Sequence, residues 1–138
     1  ESEALIVLGF VGGRTAVVDM SSMATIHKPR FYVRGTEGTF QKFGLDPQEK
    51  AQASGNIDAA VESASNYGVL KTRTDEEVVP TLPGRWRSYY DNLRDCLLGK
   101  AEPIVTLAEA RRLMQVMDAI WVSASSGQVV HFDNDASL

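Results

Sequence analysis

Phe31-Tyr32-Val33-Arg34-Gly35-Thr36-Glu37-Gly38-Thr39-Phe40-Gln41-Lys42-Phe43 is the stretch that decides the fold. Phe31, Tyr32 and Val33 are aromatic or β-branched, as are Thr39, Phe40 and Phe43, and the tight turn Gly35 to Gly38 separates the two runs. Two short apolar runs around a glycine turn predict a β-hairpin. Pro29 stands two residues before Phe31 and breaks whatever precedes. Upstream the pattern repeats. Residues 3–11 are rich in Leu, Ile, Val and Phe, Gly12-Gly13 forms a two-residue turn, and Thr15 to Met23 reads as a second strand. Two successive hairpins predict an antiparallel meander.

Downstream the character changes. Asp46 followed by Pro47 predicts a helix N-cap with proline at the first helical position, and Gln48, Glu49 and Lys50 continue the turn. Gln52 to Asn66, rich in Ala, Ser, Gly and Asn, reads as a surface excursion. Residues 67–73 and 76–82 are candidate strands, closed by a Pro83-Gly84 turn. Trp86 to Leu98 then carries apolar residues at helical spacing and stops at Gly99. Thr106-Leu107-Ala108-Glu109 is a capping box. It opens a helix whose apolar stripe, with Met114 and Met117 in it, is expected to be core. Gln128 to Phe132 is expected to close the structure as a strand, with Asp133 to Leu138 a polar tail. Antiparallel strands with helices over one face make an α+β fold, a mostly antiparallel open sheet. A single domain over residues 1–132 is expected.

Composition narrows the function. The chain has 138 residues, 43% hydrophobic and 23% charged, with a net charge of −4, as in ordinary globular domains. A length of this order permits a substantial core. The basic residues do not cluster beyond Arg85, Arg87 and Arg94, so nucleic acid is excluded as a partner. No apolar run reaches membrane-spanning length and no signal peptide is visible, which points to the cytoplasm. Cys96 is the single cysteine and reads as a small core residue; with it a disulfide or thiolate metal site is excluded. No G-x-G-x-x-G lies between a strand and a helix, so no dinucleotide site is expected in this chain. The chain enters an apolar strand almost at Glu1, which is expected of a domain excised from a longer protein.

Pro29-Arg30-Phe31-Tyr32-Val33-Arg34-Gly35-Thr36-Glu37-Gly38-Thr39-Phe40 and Lys42-Phe43-Gly44-Leu45-Asp46-Pro47-Gln48-Glu49 together resemble the C-terminal domain of the glucose–fructose oxidoreductase / inositol dehydrogenase / MocA (Gfo/Idh/MocA) family. Tyr89 to Leu93, Pro103 to Thr106, Glu109-Ala110 and Ser123 to Gly127 are similar to that family's closing helices. The resemblance covers about residues 4–132. It implies a two-domain dehydrogenase whose Rossmann domain, absent from this chain, binds NAD or NADP. Hydride would pass between the nicotinamide and a hydroxyl-bearing carbon of a sugar or polyol. The other face of the C-terminal sheet commonly pairs subunits, so a homodimer through that open face is expected.

The family's catalytic lysine stands in an E-K-P segment that ends its nucleotide domain. His27-Lys28-Pro29 imitates it, but Pro29 leads straight into a strand, which makes Lys28 a loop lysine. Neither histidine matches the family's catalytic one, and His131 is expected at the surface. No catalytic, cofactor-binding or metal residue is therefore assigned in this chain, and alone it is expected to be inert. Substrate-contact candidates are Lys28, Arg30, Lys42, Asp46, Gln48 and Glu49. Against them stands the plainer expectation that Asp46 and Pro47 cap a helix while Gln48 and Glu49 face solvent. Tyr89 and Tyr90 are expected as core and rim of a packed helix. The alternative reading is a standalone oligomerisation or ligand-binding module of the same fold without activity.

Overall fold

A computed structural model describes residues 2–132; the polar tail expected from Asp133 onward lies outside them. The chain divides into two compact units, residues 25–91 and the two flanking segments, residues up to 24 with those from 92 on.

In the flanking unit, β1 (Glu3–Gly9) and β2 (Thr15–Ser21) form the expected hairpin, pairing antiparallel from Glu3 opposite Ser21 to Gly9 opposite Thr15. Side chains alternate faces along a strand. Ala4, Ile6 and Leu8 are accordingly half-buried, while Leu5 and Val7 on the opposite face are exposed. In the central unit, β3 (Phe31–Arg34), β4 (Gly38–Lys42), β5 (Gly68–Thr72) and β6 (Glu76–Val79) run in sequence order as an antiparallel meander. Phe40 stands opposite Val33 on one side and Leu70 on the other. Its ring lies so close to Gly68 that any Cβ there would collide with it. Glycine is the residue that lets these two strands pair at this point.

The antiparallel α+β class is as expected, with a difference of detail. The two hairpins belong to separate sheets of two and four strands. Between them Ser22 to Arg30 is irregular, and Pro29 has no N–H to give a ladder.

Helix α1 (Gln48–Ala53) follows β4, and two single-turn 3₁₀ segments, Ile57–Ala59 and Ala64–Asn66, carry the excursion back to β5. The N-cap falls on Pro47, one residue later than expected, yet Asp46 Oδ1 still accepts the Gln48 N–H at 2.9 Å. Helix α2 (Arg87–Leu97) and helix α3 (Leu107–Ser126) complete the chain. The capping box is present as read: Thr106 Oγ1 accepts the Glu109 N–H at 3.2 Å, and Glu109 Oε2 accepts the Thr106 N–H at 2.9 Å. Gly127, at φ 69°, ends the helix in the left-handed conformation glycine tolerates best.

Two expectations fail. Gln128 to Phe132 is not a strand: it pairs with no other strand among the described residues and is instead tied back to α3. Ser123 Oγ donates to the Gln128 carbonyl at 2.8 Å, and the Arg112 guanidinium lies 4.2 Å over the Phe132 ring. The apolar stripe of α3 is not core either, because Leu107, Leu113, Met114, Met117 and Trp121 are all exposed. The periodicity correctly found a helix face, but periodicity cannot say what covers it. No apolar side chain is fully buried among the described residues, and Cys96 is half-buried. The buried positions are Gln48 and Gly68.

Candidate functional site

The segment from Lys42 to Gln48 is tied by hydrogen bonds to partners far along the chain. Lys42 ends an interior strand, so its ammonium is carried into the unit and must find acceptors there. Its Nζ donates to Glu62 Oε1 at 2.6 Å and to the Asn66 carbonyl at 2.7 Å. The two side chains are only 14% and 10% exposed. Burial pushes the Glu62 carboxyl up, but the Lys42 hydrogen bond and charge outweigh it and hold the group below its usual range. The Thr81 hydroxyl adds to the lowering, although neither Thr81 Oγ1 nor Glu62 Oε2 completes a well-formed hydrogen bond. The Asp46 charge acts in the opposite direction.

Asp46 and Gln48 form a clasp with the start of α2. Gln48 is 5% exposed, so each polar atom of its amide needs a partner. Nε2 donates to Asp46 Oδ1 at 3.1 Å and Oδ2 at 3.0 Å, and Oε1 accepts the Trp86 backbone N–H at 3.0 Å. The Trp86 indole N–H donates to Asp46 Oδ2 at 3.2 Å. Desolvation raises the Asp46 carboxyl, and the hydrogen bonds from Gln48 and Trp86 bring it below its ordinary value. Gly84 lets the chain pass: a Cβ there would collide with Asp46 Oδ2 and lie 2.6 Å from Gln48 Nε2.

Three of the six candidate contact residues, Lys42, Asp46 and Gln48, are thus brought together and engaged with the protein itself. Gln48 was expected in solvent and is instead a buried side chain, because the acceptor it offers Trp86 lies thirty-eight residues away. Lys28, Arg30 and Glu49 are exposed and stand outside this cluster. Glu62, Gly84 and Trp86 complete the arrangement. Sequence spacing gave no sign of Glu62 or Gly84, and marked Trp86 only as an apolar helix position.

Beside the clasp lies a shallow depression of about 300 Å³, lined by Gln52, Gly55, Ile57, Trp86, Arg87 and Tyr90. Arg87 reaches Asp58 at 2.7 Å across exposed surface. Tyr89 and Tyr90 meet edge to face at 5.4 Å, but they are 49% and 68% exposed, so neither is core. Among the described residues no group of three His, Cys, Asp or Glu is arranged to hold a metal, and His131 is exposed. Among the described residues no helix is long and apolar enough to cross a membrane.

A dinucleotide does not fit these residues. Pyrophosphate recognition needs a glycine turn opening a helix N-terminus. Here Gly12-Gly13 joins β1 to β2 and Gly35 to Gly38 joins β3 to β4, with the Gly35 N–H given to the Gly38 carbonyl at 2.8 Å.

Residues 1–132 match the family model described as "Oxidoreductase family, C-terminal alpha/beta domain". The chain belongs to the Gfo/Idh/MocA oxidoreductases and is that family's C-terminal domain. Among curated proteins it is similar to the uncharacterized oxidoreductase YdgJ of Escherichia coli, 31% identical over 112 residues, covering 76% of this chain and 32% of that protein. It is also similar to IolW of Bacillus subtilis, a scyllo-inositol 2-dehydrogenase (NADP(+)), 23% identical over 131 residues, covering 89% and 37%. YvaA of Bacillus subtilis shares the fold with a TM-score of 0.84 at 22% identity, covering 96% of this chain and 41% of that one. The chain spans about a third of the length of the curated relatives it matches.

Proposed function

We propose that this chain is the substrate-side domain of an NAD(P)-dependent oxidoreductase acting on a sugar or polyol CH–OH group. The observation that carries the reading is the family match over residues 1–132 in a chain about a third as long as its relatives. Dinucleotide binding and hydride transfer then belong to a Rossmann domain elsewhere in the parent protein, in the cytoplasm. This domain supplies wall and orientation. The clasp fixes the α2 N-terminus, and with it Trp86 and Tyr90 at the rim of the depression. Lys28, Arg30 and Glu49 are exposed, and we place them as the polar candidates for contact with substrate hydroxyls. Subunit pairing through the hairpin's outer face is supported by Leu5, Val7 and Val17, which are exposed together there.

Calorimetric titration of the 138-residue chain with NADH and NADPH tests the division of labour. No heat of binding is expected from either. Saturable micromolar binding would place a nucleotide site in this chain and overturn the reading.

A further inference from the structure

The depression beside the clasp has a lining of two kinds. Its carbon surface comes from Ile57, Trp86 and Tyr90. The Trp86 ring is held in place, because its Nε1–H donates to Asp46 Oδ2 at 3.2 Å and its backbone N–H to Gln48 Oε1 at 3.0 Å. With the N–H edge so engaged, Trp86 offers carbon to the depression. Tyr90 follows four residues on, one helical turn away on the same side, and is 68% exposed. Gly55, at φ 81°, puts no side chain into the space, and a Cβ there would meet nothing within 4 Å. The polar lining is Gln52 and Arg87. Arg87 Nη2 meets Asp58 Oδ2 at 2.7 Å, with the two side chains 52% and 56% exposed. All of these residues lie in the central unit, 25–91.

We propose that this depression seats one ring of a neutral cyclic polyol or sugar. Ring C–H groups lie on Trp86 and Tyr90, and adjacent hydroxyls meet Arg87 and Asp58. The proposal rests on the reading of this chain as a substrate-side domain, and it names where on the domain the substrate ring would sit. Three observations select that chemistry. First, the ion pair uses one carboxylate oxygen and one guanidinium nitrogen, which leaves an acceptor and further donors side by side. A hydroxyl gives and takes a hydrogen bond at once, so two neighbouring hydroxyls serve both groups, whereas a purely apolar ring serves neither. Second, the pair is neutral as a unit. Asp58 opposes an anion and Arg87 opposes a cation, so a phosphorylated or amino ligand gains nothing over a neutral one. Third, the volume of about 300 Å³ stands at the lower end of ligand sites, about 300–1,000 Å³. That suits a single ring and not a chain of sugars. The rings and the ion pair come from this chain alone, so binding does not wait on another domain. It is weak, because the depression is shallow and one side of the ligand stays in water.

Nitrogen-15 NMR of the 138-residue chain, titrated with myo-inositol and separately with glucose to about 100 mM, reads the site directly. Saturable shifts are expected at the Trp86 indole N–H and at Gln52, Gly55 and Arg87, with a millimolar Kd. The tighter of the two probes tells a cyclitol from a pyranose. Tyr90→Ala is expected to weaken binding about threefold to tenfold, and Arg87→Met about tenfold or more. Both residues are exposed, so circular dichroism should be unchanged. Tyr32→Ala, an exposed aromatic on β3 that does not line the depression, should leave Kd within about twofold. No saturable shift at these residues with either probe overturns the proposal. So does a Kd indifferent to both variants, or glucose 6-phosphate binding more than about tenfold tighter than glucose, which would mark an anion site. Such a failure leaves the nucleotide assignment standing, and NADPH binding to this chain would overturn that assignment without producing these shifts.

Discussion

Replacing Gln48 by methionine keeps the length of the side chain and removes its polar tip, which isolates the contribution of the clasp. Three contacts disappear: two from Nε2 to the Asp46 carboxylate and one to Oε1 from the Trp86 N–H. An amide bonded to a carboxylate contributes about 1.5–3 kcal/mol, and the part-buried Trp86 N–H left without an acceptor costs about 1 kcal/mol, the low end for an orphaned donor. The methionine returns about 1 kcal/mol by burying its terminal atoms. The net loss is about 1.5–3 kcal/mol. Urea unfolding followed by Trp86 fluorescence, in a Trp121→Phe background so that one indole reports, measures it as a fall in midpoint. A pH dimension follows. Asp46 titrates lower in the folded chain than its ordinary 3.8, so its contribution is complete above that value and is lost as pH falls through the folded one. The Gln48→Met chain keeps less of that depression and should lose less stability on acidification. A midpoint change worth under about 0.5 kcal/mol, or an unaltered acid slope, would show that Gln48 is buried without holding anything.

Lys42→Met strands Glu62 in a largely buried site, and about 3–5 kcal/mol should be lost at neutral pH. Its pH dependence should invert: Glu62 would titrate above its unfolded value, so stability would rise as pH falls, whereas the natural pair loses stability on acidification through the lowered Glu62 value. Lys42→Met/Glu62→Leu should recover most of the loss, and denaturation series at several pH values check both statements. Gly84→Ala tests the clasp from the other side. Its Cβ displaces Asp46 Oδ2 and Gln48 Nε2, and the lost bonds, offset by about 0.4–1 kcal/mol of unfolded-state entropy, leave a destabilisation of about 1–3 kcal/mol by the same fluorescence measurement. A more stable Gly84→Ala chain would mean the approach is slack.

What the sequence made legible were the features carried by neighbours along the chain. The glycine turns after β1 and β3, the Thr106–Glu109 capping box and the stop at Gly127 are local chemistry, and each stands where it was read. The segment from Gln128 to Phe132 has the composition of a strand, but a strand is defined by its partner, and here side chains of α3 take that place. The clasp lay beyond reach for the same reason. Asp46 is legible as a cap because Pro47 follows it, whereas its bond to the Trp86 indole spans forty residues.

The distribution of polar and apolar groups shows what Lys42, Asp46 and Gln48 do for the domain itself. A ligand site offers polar atoms whose hydrogen bonds the fold leaves incomplete. From Lys42 to Gln48 the opposite holds: the ammonium, the Asp46 carboxylate and the Gln48 amide are all taken up by Glu62, Asn66, Trp86 and one another. Two carboxyls held below their usual range are poor proton donors near neutrality, which argues for a frame over an acid–base pair. The exposed apolar surface lies elsewhere, on the outer face of β1–β2 and along α3. Among the described residues the buried side chain, that of Gln48, is fixed by hydrogen bonds while the apolar stripe of α3 is exposed, so the motif sets internal geometry. The domain's apolar faces are then available to other chains.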